Sequence, residues 1–556
     1  MSISLGPSEH GQPKKPWAWV AAAAVYGLLE LTVGGPVAFL ASKAPEAAFH
    51  PSSAVCPLSE PLIPSGGFRD SSQFLEEDYV KQSVDFLAGA IKIPTQSFDE
   101  MASDPLKDDR FNIFADLHQY LFDTFPLTAE NVEKVNTYGL LYTVKGSSSS
   151  LKPLILMAHQ DVVPVNPETV DQWEHPPFSG FYDGEWMYGR GTIDTKNTLI
   201  GILEATESLL GQGWQPERTI LISFGFDEEV EGKRGAGKLS SHIEQRYGKN
   251  SIEAIVDEGS GVTESYGALF PLVSTAEKGL IDIKYSVEVQ GGHSSMPPDH
   301  TGIGILADLI LKLEADPFKP YLDSESVTAQ TYSCFATAPE ADDEIREIVA
   351  HLGDSKYLQK LIDILNADRA TRFFIQTSQA VDVISGGVKI NALPEHAFVK
   401  VDHRVSVDET VQSVWDRGLR HAKGIAQKYD LGLVESGKVV FDGMMGNLTI
   451  DVSDWTETAP KSPTSGKFWD ILSGVNKHVF NSVLKYDLPV ITAPLVMFGN
   501  TDTANYWNLT SSIYRYTPLQ ESDGANAHTV NEKIRFRGHL GTVIWYYEFL
   551  QFASTS

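Results

Sequence analysis

Five side chains that can ligate a metal ion lie beside short apolar runs far apart in the chain. His159 closes LILMAH, Glu229 follows ILISFGF, Asp257 follows IEAIV, Asp194 lies in GRGTIDTKN and His528 lies in ANAHTVNE. In an open α/β sheet, ligands gather beyond the carboxyl ends of the strands, so we expect these residues to converge on one cleft. Carboxylates and imidazoles without thiolates are typical of a catalytic rather than a structural zinc site.

Acids near these candidates have expected roles of their own. Asp161, two residues after His159, can orient a ligating imidazole through a hydrogen bond. Glu228 belongs to a run of three acids at a strand end, where a cation would relieve their repulsion and one acid could act as a general base. The two oxygens of Asp194 can bridge two metals, but taken alone Asp194 is better explained as a helix N-cap.

Two candidates for substrate binding lie in the middle of the chain. His293, in GGHSSMPP, can donate a hydrogen bond to a developing oxyanion, because the glycines let the backbone approach a ligand closely. Arg404, in VDHRV, can hold a substrate carboxylate with two parallel hydrogen bonds. A salt bridge within a strand explains Arg404 almost as well.

Size and charge exclude some classes of function. The chain has 556 residues and a formal net charge of −29, which indicates more than one domain and argues against a nucleic-acid partner. The two cysteines, Cys56 and Cys334, are too few for a disulfide framework or a thiolate zinc site. One long-range disulfide and two free thiols are equally good interpretations.

The N-terminus is expected to be separate from the folded body. Residues 1–16 read as a cytoplasmic tail, 17–42 as a signal anchor after Lys14 and Lys15, and 43–76 as a stalk. Glu30 opposes a membrane span, and residues 17–29 also fit a cleaved signal of a secreted protein. The sequons at Asn447 and Asn508 agree with a lumenal body, in a vacuole-like compartment.

Apolar runs and helical patterns alternate through the body. This alternation predicts an α/β catalytic domain with a largely parallel sheet, in residues 77–280 and 451–556. Between the two parts, residues 281–450 read as a smaller inserted α+β domain, within which 320–372 are helical without an interpretable motif.

Together, the motifs MAHQDVVPV, GRGTIDTKN, FDEEVEGKRGAG, VDEG, GGHSSMPP and AHTVNE resemble one known family. It is the dizinc amidohydrolase superfamily of carboxypeptidase S, aminoacylase, acetylornithine deacetylase and succinyl-diaminopimelate desuccinylase. The resemblance covers roughly residues 77–553 and is strongest to the vacuolar Gly-X carboxypeptidases of fungi.

The resemblance implies two Zn²⁺ ions per chain, a lid domain that can form a homodimer, and a set of site residues. It assigns Asp194 as the bridging ligand, Asp161 as the acid that orients His159, and Glu228 as the general base. It assigns Arg404 as the carboxylate clamp. The terminal ligands that it implies are His159, Glu229, Asp257 and His528, and the lid residues that it places near the substrate are His293 and Asn391.

The expected function is therefore zinc-dependent hydrolysis of the C-terminal amide bond of short peptides. An N-acyl amino acid hydrolase or synthase would use the same groups on a fatty acyl amide. A membrane-tethered binding protein on an inactive hydrolase scaffold is the alternative outside catalysis.

Overall fold

The computed structural model describes Cys56 and residues 58–555. The predicted tail and signal anchor, and residues 43–55 of the predicted stalk, lie outside these residues. Among the residues described, no helix is long and apolar enough to cross a bilayer.

The strands are β1 (Val132–Val135), β2 (Gly139–Val144), β3 (Leu154–His159), β4 (Phe181–Tyr182), β5 (Trp186–Tyr188), β6 (Ile220–Gly225), β7 (Ala254–Ser265), β8 (Ala268–Glu277), β9 (Gly279–Val289), β10 (Gly292–His293), β11 (Ala380–Gly386), β12 (Ala392–Leu393), β13 (His396–Val405), β14 (Gly432–Glu435), β15 (Lys438–Phe441), β16 (Gly446–Thr456), β17 (Ala493–Met497), β18 (Ile513–Gln520), β19 (Gly524–Ala525) and β20 (Lys533–Arg535).

The helices are α1 (Glu77–Ile91), α2 (Ile113–Thr124), α3 (Lys196–Gly211), α4 (Ala236–Tyr247), α5 (Gly302–Glu314), α6 (Val327–Phe335), α7 (Asp343–Ala350), α8 (Ser355–Ala367), α9 (Arg369–Arg372), α10 (Val411–Lys428), α11 (Lys467–Lys477) and α12 (Phe536–Ala553).

The central sheet has eight strands in the order β1-β2-β6-β3-β7-β18-β8-β17. Its middle, from β6 to β18, is parallel, and so is the pair of β8 with β17 at one edge. The pairs β1–β2, β2–β6 and β18–β8 are antiparallel. The sheet is thus mixed, and the prediction of a largely parallel sheet was wrong toward the edges. The physical reason is local: β7 and β8 form a hairpin across Tyr266 and Gly267, which both have positive φ, as a tight two-residue turn requires.

Helices cover both faces of the central sheet. Alternate residues of β3 face opposite sides, so Leu156 packs in the cluster that includes α3 and α12, and Ile155 packs against α4. Every residue of β3 and of β6 is buried in consequence. This burial on both faces explains why these strands read as continuous apolar runs in the sequence.

The lid domain is built on a six-stranded sheet in the order β11-β13-β9-β16-β14-β15. Helices α5 and α10 pack on this sheet and form its core. A capping box between Thr410 and Ser413 starts α10 and satisfies backbone donors of its first turn. Strand β16 extends to Thr456, so the lid sheet continues past residue 450.

The segment that the sequence left uninterpreted, residues 320–372, forms α6 to α9. These helices pack on β8 and β17 at the edge of the central sheet, in a cluster separate from the lid core. Helix α6 carries Cys334, which is bonded to Cys56 in a disulfide. Of the two interpretations of the cysteines, the structure therefore supports the disulfide and not the pair of free thiols.

The described part of the predicted stalk lies against the body. Leu62 donates from its backbone to Gly474, Arg69 donates to the side chain of Gln212, and Phe74 is fully buried. Residues 58–76 are therefore a packed segment, because an apolar residue within them reaches the core. The stalk prediction was wrong for this part of the chain.

Candidate active site

The candidate site lies where the central parallel strands end. His159 is the last residue of β3, Glu229 lies in the turn after β6, and Asp194 lies in the turn before α3. His528 comes from the loop between β19 and β20 near the C-terminus. The structure therefore brings four of the five predicted ligands, from four remote stretches, into one cluster.

Asp194 lies between the two histidines. Its Oδ1 is 3.0 Å from Nε2 of His159, and its Oδ2 is 2.9 Å from Nε2 of His528. Each oxygen of the carboxylate thus faces a different imidazole, which is the arrangement that a carboxylate bridging two cations needs.

Glu258, which was not among the predicted ligands, completes the cluster at the place expected for Asp257. Oε1 of Glu258 is 3.3 Å from Nε2 of His159, and Glu258 clusters with His159 and Asp194. Asp257, the predicted ligand, is 1% exposed and pairs in register with Arg515 of β18. Neighbouring strand residues point to opposite faces, so only one of these two adjacent acids can face the cluster.

Asp161 joins His159 to the turn that carries the glutamates. Its fully buried carboxylate accepts hydrogen bonds from the backbone N–H groups of Glu228 and Glu229, each at 3.1 Å. Nδ1 of His159 lies 2.9 Å from the backbone oxygen of Asp161. A proton on Nδ1 that is held by this oxygen leaves Nε2 free to face a cation.

Glu532 is a second organising acid that the sequence analysis did not single out. It is buried and accepts hydrogen bonds from the backbone N–H groups of Gly191 and Ile193, each at 3.0 Å, and from Arg190. It thereby ties the turn that carries Asp194 to the segment that carries His528. The sequence signal that could have identified Glu532 is its position four residues after His528, in HTVNE.

The pKa values reflect the crowding of acids and imidazoles. Burial, together with the carboxylate of Asp194, raises the pKa of Glu229 to about 7. Hydrogen bonds to Asp194 and Glu229 raise the pKa of His528 to about 10. Since ligands must lose their protons to bind a metal, cation binding here releases protons and weakens as the pH falls.

The donor set fits divalent cations. It offers two imidazole nitrogens and three carboxylates without any thiolate, a composition that suits catalytic zinc. Two groups of three share Asp194: one with His159 and Glu258, the other with Glu229 and His528. Glu228, whose Oε2 is 3.9 Å from Nε2 of His159, stands beside both groups.

The lid candidates lie outside this cluster. His293 and Asn391 are exposed and belong to the small ribbon in which β10 pairs with β12. Nδ1 of His293 accepts from the backbone N–H of Ser295 at 3.1 Å, which leaves its Nε2–H as a donor. Apart from the pairing of β10 with β12, His293 hydrogen-bonds among the described residues only to Ser295 and Met296 beside it, so it lies on the lid and not at the cluster.

Arg404 lies on β13, at the boundary between the lid and the body. Its Nε is 3.2 Å from Oδ2 of Asp402, and its Nη1 donates to Oδ1 of Asn500 at 3.0 Å. Asn500 follows β17 of the central sheet. The guanidinium therefore faces the body from the lid, and its side chain is 38% exposed.

The fold and the donor set define the class of protein, a hydrolase that works with divalent cations. Residues 155–551 match the peptidase family M20/M25/M40. The chain is 40% identical to carboxypeptidase S of Saccharomyces cerevisiae, over 89% of this chain and 88% of that protein. The chain belongs to the M20 peptidase family.

Other relatives and solved structures agree on the fold. The chain is 32% identical to the N-fatty-acyl-amino acid synthase/hydrolase PM20D1 of Bos taurus, over 89% of this chain and 91% of that protein. A metallo-carboxypeptidase of the M20 family from Sulfolobus solfataricus superposes with a TM-score of 0.56 at 18% identity, over 85% of this chain and 99% of its own. The dipeptidase Dug1p of Saccharomyces cerevisiae gives a TM-score of 0.57 at 17% identity, over 87% and 98%.

Proposed function

We propose that this chain is a metal-dependent carboxypeptidase that removes the C-terminal residue from short peptides. The observation that carries the proposal is the carboxylate of Asp194 held between two imidazoles, in a member of a peptidase family that is similar throughout to carboxypeptidase S.

Two zinc ions are the proposed cofactors. His159, Glu258 and Asp194 would hold one ion, and Asp194, Glu229 and His528 would hold the other. When bound, the ions supply Lewis acidity for the scissile carbonyl and lower the pKa of water toward neutrality.

Glu228 is the proposed general base and acid. It takes a proton from the attacking water and passes it to the amine nitrogen that leaves. Burial raises the pKa of Glu228 well above its ordinary value, and the nearby Glu258 and Glu229 carboxylates raise it as well. A raised pKa lets the carboxyl hold a proton between the two transfers.

The lid is proposed to supply substrate contacts. Arg404 has five N–H donors and uses one at Nε and one at Nη1, so both Nη atoms retain donors for the C-terminal carboxylate of a peptide. The Nε2–H of His293 would donate to the oxyanion once the ribbon approaches the cluster, and Asn391 would contact the substrate beside it.

A digest of a short-peptide library tests the reaction, the end attacked and the metal together. We expect loss of single C-terminal residues from peptides with a free carboxylate, little cleavage of the C-terminal amides, and loss of activity with a zinc chelator that added zinc restores. Release of N-terminal residues would contradict carboxypeptidase action. Cleavage that the chelator leaves unchanged would contradict metal dependence.

An N-acyl amino acid hydrolase or synthase is the second candidate, favoured by the similarity to PM20D1. Rates on benzyloxycarbonyl-Gly-Leu and on an N-fatty-acyl leucine, measured side by side, separate the two. The inactive binding protein would instead contain no zinc after purification and would gain no activity when zinc is added.

We place the body in an oxidising, vacuole-like lumen. The disulfide between Cys56 and Cys334 supports this location, because disulfides persist in oxidising compartments. Asn447 and Asn508, in the two sequons, are both exposed. We expect an endoglycosidase to increase the gel mobility of the protein from its native host. Unchanged mobility, together with unmodified Asn447 and Asn508 peptides in mass spectrometry, would contradict glycosylation.

The homodimer through the lid and the membrane anchor at residues 17–42 stay predictions. Strand β11 favours the dimer, because it is an edge strand of the lid sheet and its Val383 and Ile384 are exposed. Light scattering of the purified protein measures the mass that decides between monomer and dimer.

A further inference from the structure

We propose that Asn500 is a positioning residue that fixes the guanidinium of Arg404 for the carboxylate of the substrate. The inference rests on the role of Arg404 in the proposed function, and it adds the residue that sets the orientation of the Arg404 guanidinium. It follows from a chain of hydrogen bonds that runs from the lid into the core of the catalytic domain.

Asn500 has a fixed orientation. Its Oδ1 accepts from Nη1 of Arg404 at 3.0 Å, and its Nδ2 donates to Oε1 of Glu277 at 3.2 Å and to the backbone oxygen of Lys278 at 3.0 Å. The reverse orientation would set the amide –NH₂ against a guanidinium and the amide oxygen against a carboxylate. The network therefore assigns the side-chain amide without ambiguity.

Glu277 anchors this arrangement in the core. It is fully buried, its Oε2 is 2.5 Å from Nε of the fully buried Arg515, and the hydroxyl of Thr501 donates to it at 2.9 Å. A buried carboxylate with a paired charge and several donors has little freedom to move. Glu277 is also the last residue of β8, directly before the chain enters the lid at Gly279.

The contact between Arg404 and Asn500 therefore joins a flexible side chain on the lid to a rigid group on the body. Asp402 holds Nε and Asn500 holds Nη1, so two contacts fix the plane of the guanidinium. The N–H groups that remain at Nη1 and Nη2 can then meet a carboxylate in a single direction. An arginine without the second contact would rotate and would bind a carboxylate less tightly, since more side-chain entropy is lost.

The test compares benzyloxycarbonyl-Gly-Leu with its C-terminal amide in the full-length zinc enzyme. We expect Asn500→Ala to raise KM for the free acid by about tenfold, the equivalent of one hydrogen bond to a charged group, with kcat within about twofold. The value of kcat/KM for the amide should not change. Ser378→Ala is the matched control and should leave KM for both substrates unchanged, because the hydroxyl of Ser378 accepts from the backbone N–H of Arg404 and its loss leaves the contacts of the guanidinium in place.

A second variant and a double-mutant cycle keep the outcomes distinct. In Asn500→Asp the new carboxylate should pair with Arg404 and compete with the substrate, so KM for the acid rises. Its second oxygen takes the place of the amide donor beside Glu277 and Lys278, so the melting temperature of this variant should fall and is measured separately from KM. In an Arg404→Ala background, Asn500→Ala should add no further effect. Equal losses for acid and amide, or full additivity with Arg404→Ala, would overturn the role of Asn500.

The same data separate this inference from the proposed function. If Arg404→Ala leaves the preference for the free acid intact, the carboxylate clamp fails and the role of Asn500 fails with it. If Arg404→Ala abolishes the preference and Asn500→Ala preserves it, the clamp stands and only the positioning role is overturned.

Discussion

Glu228→Gln should keep its bound metal and lose turnover by about 10²–10⁴-fold, the range for removal of a general acid–base group. Glutamine has nearly the shape of glutamate but cannot accept the proton of the attacking water. Glu228 is outside the two three-residue groups that share Asp194 and are proposed to hold zinc, although it also clusters with His159 and Glu229, so its loss leaves the proposed ligands in place. The measurements are kcat from the release of leucine and zinc content by mass spectrometry.

The matched control is Glu231→Gln in the same acidic turn. Glu231 is exposed and pairs with Lys233 at the surface, so this variant should keep both metal and turnover. Unchanged turnover in Glu228→Gln would discard its role as the base. Loss of zinc together with activity would make Glu228 a ligand instead.

The sequence predicted the middle of the catalytic domain well because burial leaves a strong pattern there. Strands β3 and β6 are buried on both faces, so their sequences are continuous apolar runs that end in polar residues. This pattern identifies both strands from the sequence alone. The convergence of His159, Asp194, Glu229 and His528 followed from the rule for strand ends. Pairing at the sheet edges depends on hairpins and distant strands, which local patterns do not specify.

The wrong stalk prediction and the uninterpreted segment 320–372 have a common physical origin in tertiary contacts. Residues 58–76 have the composition of a linker, yet Phe74 is buried against the body and Cys56 is bonded to Cys334. Helices α7 and α8 carry clear apolar stripes, but a stripe does not state which sheet it will cover. Composition and periodicity report that a face is apolar, and only the fold reports its partner.

The structure favours Glu258 over the predicted Asp257 for a more local reason. Both acids follow the apolar run IEAIV, and the sequence alone does not state which face of β7 looks toward the cluster. In the structure, Glu258 lies near His159 and Asp257 lies across from Arg515. A shift of one residue in a strand exchanges the two faces, so the sequence locates the motif, and the structure turns Glu258 rather than Asp257 toward the cluster.

This geometry predicts opposite outcomes for two neighbouring substitutions. Glu258→Gln should lower zinc affinity by more than about 100-fold, beyond the 10–100-fold range for loss of an outer hydrogen-bond partner, because it removes a direct ligand. The metal-free protein should melt close to the wild type, since Glu258 is partly exposed and the loss of its charge relieves repulsion among the acids.

Asp257→Asn should nearly retain zinc affinity and should not lower the thermal stability of the metal-free protein. Asp257 is buried, its Oδ2 has no hydrogen-bond partner among the described residues, and Arg515 is paired with Glu277 instead. Burial raises the pKa of the Asp257 carboxyl well above its ordinary value, so a neutral amide of nearly the same shape replaces a group whose charged form this position disfavours.

Titration with zinc and melting of the metal-free protein measure the two effects separately. If Asp257→Asn loses zinc while Glu258→Gln retains it, Asp257 is the ligand on β7 and Glu258 is not. The ion assigned to His159, Asp194 and Glu258 would then be held on the face of β7 that carries Asp257, which contradicts the proposed cluster.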